Sequence, residues 1–241
     1  MLIYTIIRLL FISIITFFIA TKPEVKEITY FSKQTWNAKE TIPFYLGFAL
    51  LALISFILYK NVSNYIVYQI LTYVISLIAG LILLLSIKLI ILKKKISIEV
   101  IGLKTSHIFW FIIFFIIQYL ILIIFCISKF IQNYNLLIWS LIYFSTVLII
   151  WPTIEVVFFL GMVFIPTSRK VGLLLAAVLI SLLQSLYHFN LNAPALIINF
   201  LLVGILACYF YLKTKGILVP LLLHSSLNFF ILFRDLISIS T

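Results

Sequence analysis

Apolar runs of about 20 residues follow one another along most of the chain, separated by short polar breaks. Eight can be delimited, at residues 2–20, 41–59, 65–92, 107–127, 136–164, 171–189, 195–212 and 217–233. A helix of that length matches a bilayer hydrocarbon core of roughly 30 Å. In hydrocarbon, an open chain can satisfy every backbone N–H and C=O only as a helix. The pattern therefore predicts an all-α fold, a polytopic membrane helical bundle of about eight transmembrane helices.

Composition agrees with this and excludes a soluble enzyme. The 241 residues are 65% hydrophobic and 10% charged, with a mean hydropathy of +1.31, whereas a soluble domain is typically about 25% charged. The net charge of +11 would suit nucleic acid if it were clustered on one surface, but alternate connections carry it. Lys22, Lys26, Lys33 and Lys39 follow the first run, Lys93, Lys94, Lys95 and Lys104 the third, Arg169 and Lys170 the fifth, and Lys213 and Lys215 the seventh. The intervening connections hold only Lys60 and Lys129. By the positive-inside rule the odd-numbered connections are cytoplasmic and both termini extracytoplasmic, in a cell-membrane protein. The expected partners are membrane lipid and a peptide or protein substrate, with no nucleic acid.

The first run resembles a signal peptide in its basic residue and apolar middle. However, Phe17 to Thr21 is a poor cleavage site and Arg8 lies inside the run, so a retained span is expected. Cys126 and Cys208 sit in apolar helices without metal-type spacing and read as packing residues. One membrane domain, residues 1–241, is expected, with N-terminal spans in 1–135 and the chemistry-bearing core in 136–241.

Within that core, Glu155 is the one acidic residue inside any long apolar run. A carboxylate in hydrocarbon costs several kcal/mol unless it is neutral or paired. Pro152 removes a backbone donor one turn before it. Two other runs offer partners. Gln184 and His188 are four apart in the sixth, and His224 and Asn228 four apart in the eighth, so on helices each pair shares a face. Taken singly, each pair fits an interhelical polar contact or an interfacial histidine; taken together, they fit one site.

The segments EVVFFLG (Glu155 to Gly161), SLLQSLYHF (to Phe189) and GILVPLLLHSSLN (to Asn228) resemble the three ordered motifs of the CPBP family, the Abi or CAAX type II intramembrane proteases. That pattern is EExxxR, then FxxxH, then HxxxN or HxxxD. The resemblance covers roughly the last 90 residues. It implies a catalytic set of Glu155, His188, His224 and Asn228, in which Glu155 and His188 activate a water and His224 and Asn228 stabilise an oxyanion. It also implies substrates such as prenylated proteins, or a role in peptide maturation or bacteriocin self-immunity. The Ile-, Lys- and Phe-rich composition, as of an AT-rich bacterial genome, favours the latter pair. No cofactor is implied, although two histidines and a glutamate can also make a zinc set with an open position.

Three positions depart from the family pattern. Val156 and Leu160 stand where it has its second glutamate and its arginine, and Gln184 stands for its phenylalanine. Loss of both members of a buried ion pair is tolerable where loss of one is not. It also raises a second reading, a non-catalytic membrane scaffold that binds a partner protein. A transporter is disfavoured, because the spans hold too few ionisable groups for an ion relay and show no matching pair of broken helices. Depth poses a further question. With a turn at Pro166 to Lys170, His188 lies about 18 residues away, too far for an upright helix to meet Glu155. Either strong tilt or a helix starting near Gly172 would bring them together.

Overall fold

The computed structural model describes residues 2–21, 40, 50, 102, 105–130, 134–188 and 193–238, with scattered helical positions between 53 and 88. Most of the second and third expected spans, the lysines between 22 and 39 and between 93 and 104, and the loop 189–192 lie outside the described residues. Every regular element among those described is a helix. Two, Leu137–Val171 and Pro194–Thr214, are long and apolar enough to cross a bilayer. The apolar stretches Leu10–Ile19, Ile112–Ile124, Leu173–Leu186 and Leu218–Phe233 are shorter.

Helix α1 (Leu2–Thr21) and helix α2 (Thr105–Phe130) precede a continuous helical rod. That rod consists of α3 (Tyr134–Ser145), π1 (Thr146–Ile150), α4 (Trp151–Val156), π2 (Val157–Phe164) and α5 (Ile165–Val171). Pro152 and Pro166 each come two residues after a π stretch. The spread turn gives room for a ring that would clash with the carbonyl four residues back in a regular α-helix. At π1 the Trp151 N–H reaches back to the Thr146 carbonyl. Pro152 has no N–H to offer Val147, which is next in that register, and the Asn228 Nδ2 takes the Val147 carbonyl at 2.9 Å.

The rod turns at Gly172, whose φ of 85° and ψ of 160° suit a residue without Cβ. Helix α6 (Leu173–Tyr187) then runs back. Residues 166–170, expected as a turn, are helical: Ser168 Oγ bonds the Ile165 carbonyl at 2.7 Å, and the buried Lys170 extends its Nζ to the Ile19 carbonyl at 2.7 Å. That shift answers the depth question, because Glu155 and His188 now lie 17 and 16 residues from Gly172 on opposite limbs of one hairpin.

A third composite helix follows, made of α7 (Ala193–Ile198), π3 (Asn199–Leu206) and α8 (Ala207–Thr214), and helix α9 (Leu218–Ser238) closes the core. Small residues let α6 and π3 approach closely. A Cβ added to Gly204 would run into that of Ser181, Ser181 Oγ is 3.9 Å from Cys208 Sγ, and Ser185 Oγ donates to Asn199 Oδ1 at 3.1 Å. Two apolar clusters result. The larger joins α1, the 154–165 portion of the rod, α6, α8 and α9, while the smaller gathers Phe115, Leu122, Phe144, Leu148 and Leu232. Beside the smaller cluster, Ser225 Oγ donates to Gln118 Oε1 at 2.9 Å, joining α9 to α2. The outward faces of α1 and α2 carry Leu10, Phe11, Ile14, Phe17, Trp110, Ile117 and Ile124 in exposed positions, as a lipid-facing surface requires.

Candidate active site

Three of the four sequence-predicted residues converge. Glu155 projects from α4, one turn beyond the π1 distortion, and is 4% exposed. His224 comes from the second turn of α9 and is 1% exposed. His188 stands just past the end of α6 at φ −79° and ψ 73°. Its N–H bonds back to the Ser185 carbonyl at 3.1 Å, and its own carbonyl turns off the helical path. One carboxylate oxygen, Glu155 Oε2, faces His188 Nε2 at 3.4 Å, Gln184 Nε2 at 3.4 Å and His224 Nε2 at 3.7 Å.

These separations exceed the 2.7–3.2 Å of a direct hydrogen bond. Neither His188 Nε2 nor His224 Nδ1 has a hydrogen-bond partner among the described residues. Such spacing fits groups that share a small molecule, and catalytic contacts of this kind are often long until a substrate complex forms. Exposure is unequal across the site. The His188 side chain is 20% exposed against 6% for Glu155 and 2% for His224, so the group is least enclosed on the His188 side.

The fourth residue, the half-buried Asn228, uses one amide N–H on the Val147 carbonyl. No contact joins it to Glu155 or to either imidazole among those described. Val156 and Leu160, each 1% exposed, lie in the larger apolar cluster. Gln184 and His188, four apart at the end of α6, both point to Glu155 Oε2, as their spacing leads one to expect.

Sequence reasoning missed Arg8. This residue of α1 is 2% exposed, and its Nη1 donates to the main-chain carbonyl of His188 at 2.7 Å. The signal was available, since Arg8 is the one charged residue in its apolar run, the same criterion that singles out Glu155.

A metal is sterically possible. One ligand atom from each of Glu155, His188 and His224 lies within 4.8 Å of the others, and two ligands on a tetrahedral zinc would sit roughly 3.3 Å apart.

No curated protein and no solved structure matches the chain. A family model does. Residues 137–230 match the one described as type II CAAX prenyl endopeptidase Rce1-like, a segment that begins in α3 and ends in α9 and contains Glu155, His188, His224 and Asn228. The motif-bearing part of this chain is therefore similar to the Rce1-like family of membrane-embedded proteases.

Proposed function

We propose that this protein is an intramembrane endopeptidase that hydrolyses a peptide bond in a membrane-associated peptide or protein, using a water activated by Glu155 and His188. The observation that carries this reading is the convergence of two imidazoles on one buried carboxylate oxygen, at 3.4 and 3.7 Å. In the reaction, the water oxygen attacks the scissile carbonyl carbon while its proton passes to Glu155. The resulting oxyanion accepts a hydrogen bond from His224 and from the second amide hydrogen of Asn228. Collapse of the tetrahedral intermediate breaks the C–N bond, and the proton held by Glu155 moves to the leaving nitrogen. Each oxyanion donor in such a dry site is worth about 3 kcal/mol of barrier, and proton transfer by a positioned base about a hundredfold or more in rate.

Eight spans with both termini outside would put the lysine-bearing connections and the Gly172 turn on the cytoplasmic side, and the His188 end of α6 toward the opposite one. The family description makes a prenylated peptide the first substrate to try; peptide maturation and bacteriocin self-immunity are the cellular settings that the composition favours.

The test uses full-length protein in proteoliposomes and a fluorescence-quenched farnesylated peptide, or another membrane-anchored peptide once one is found to be cut. Glu155→Gln preserves shape and removes the base, and is expected to lower kcat at least about a thousandfold. Hydrolysis that survives this change overturns the reading. If instead a cellular phenotype survives it, the scaffold reading stands, for which Val156 and Leu160 are the evidence. A zinc-assisted version is a second reading, favoured by the 4.8 Å grouping of ligand atoms; a stoichiometric zinc content that tracks activity would select it.

A further inference from the structure

Helix α6 ends among packed helices, and that end creates a problem. The last carbonyls of any helix lack N–H partners, and in hydrocarbon each unmet group costs several kcal/mol. Its fifteen residues, Leu173–Tyr187, reach about 22 Å, less than a bilayer core. The chain then bends at His188, whose ψ of 73° turns its carbonyl and the following chain out of the helix while the imidazole lies 3.4 Å from Glu155. The His188 carbonyl at this bend is met from 180 residues away by the Arg8 guanidinium at 2.7 Å.

Two tethers fix how α1 lies. Arg8 holds the His188 end of α6, and at the opposite end Lys170 holds the Ile19 carbonyl of α1 at 2.7 Å. The two helices are therefore antiparallel. Both cations are buried, at 2% and 5% exposure. An arginine inside a bilayer is expensive and is ordinarily retained for a purpose.

We propose that Arg8 is a positioning residue for the His188 imidazole: by holding the His188 carbonyl, its guanidinium fixes the non-helical turn from which the ring reaches Glu155. The proposal rests on the hydrolytic reading above for its effect on rate, though not for its effect on the ring. It also gives this chain, whose Leu160 stands where the family pattern has an arginine, a cation serving the site from outside the matched segment.

Four variants of the full chain in lipid nanodiscs test it: Arg8→Met, Arg8→Lys, Lys170→Met and Glu155→Gln. Turnover of a cleaved peptide and the 15N signals of the His188 ring are both measured. Arg8→Met keeps apolar volume and is expected to lower kcat about tenfold or more with KM within about twofold, the cost of a misplaced catalytic group, and to move the His188 signals. Arg8→Lys should recover activity to within about threefold of wild type. Lys170→Met loosens the far end of α1 and should leave kcat and the ring signals unchanged. If Arg8→Met does not fold, Arg8→Gln replaces it with the same expected loss. Unchanged kcat and ring signals in Arg8→Met overturn the proposal, as do equal effects of Lys170→Met, which would reduce Arg8 to general packing. Wild-type hydrolysis by Glu155→Gln overturns the hydrolytic reading instead, and the ring signals then decide the role of Arg8 alone.

Discussion

Two backbone carbonyls beside the site have fallen out of their helical ladders, and each is met by a side chain of a different helix. Val147 loses its partner because π1 shifts the register and Pro152 cannot donate, and Asn228 of α9 repairs it. His188 lies beyond the end of α6, and Arg8 of α1 repairs it. One patch comes from inside the family-matched segment and the other from outside it. The difference shows that the backbone irregularities that place Glu155 and His188 are stabilised by separate parts of the chain, so the two sides of the site should fail independently.

The strongest way to disturb one side alone is to force α6 away from its neighbour. Gly204→Val would drive a branched side chain into Ser181 and is expected to lower stability by about 3 kcal/mol. This would be measured by thermal or SDS unfolding, with the Val147 side left intact. Next in size is Asn228→Ala, which strands the Val147 carbonyl. A loss of about 2 kcal/mol is expected. Adding Pro152→Ala restores an N–H, so the double variant should recover about 1 kcal/mol relative to the sum of the single changes; strict additivity would show that Asn228 and Pro152 do not serve the same carbonyl. The smallest effect belongs to Gln184→Leu. Its 3.4 Å contact with Glu155 Oε2 is long, and about a threefold fall in kcat is expected, with stability nearly unchanged. A fall as large as that of Glu155→Gln would promote Gln184 from a neighbour of the carboxylate to a participant in the chemistry.

Much of this arrangement was legible in the sequence, for a physical reason. Ionisable groups are costly in hydrocarbon, so Glu155, His188 and His224 stand out against their runs, whereas the turn at Gly172 that lets Glu155 and His188 meet was one of two alternatives the sequence left open. Pro152 likewise announced a disturbed helix, and the π1 stretch lies just before it. Other features left no such trace. The π3 stretch has no proline in it or after it in its helix, unlike π1 and π2, which Pro152 and Pro166 follow, and its register shift is a property of packing. The polar run Pro-Thr-Ser-Arg-Lys reads as a turn, yet Ser168 bonds its own helix and Lys170 is drawn to α1, a tertiary contact 151 residues distant. Asn228 was read for its chemistry, and its contact with Val147 required knowing which carbonyl a π turn would release. Arg8 carried the same signal as Glu155, but its partner is a main-chain oxygen, which no side-chain pattern can advertise.

The hairpin about Gly172 behaves like a pair of calipers whose two tips are the acid and the imidazole. The α6 limb is a run of regular steps, so removing one residue between 173 and 187 would retract its tip, the imidazole, by about 1.5 Å and swing it about 100° around its axis. The geometry of this site is thus written partly in a count of residues, and an insertion or deletion of apolar side chains along that limb would part the imidazole from the acid without altering either group.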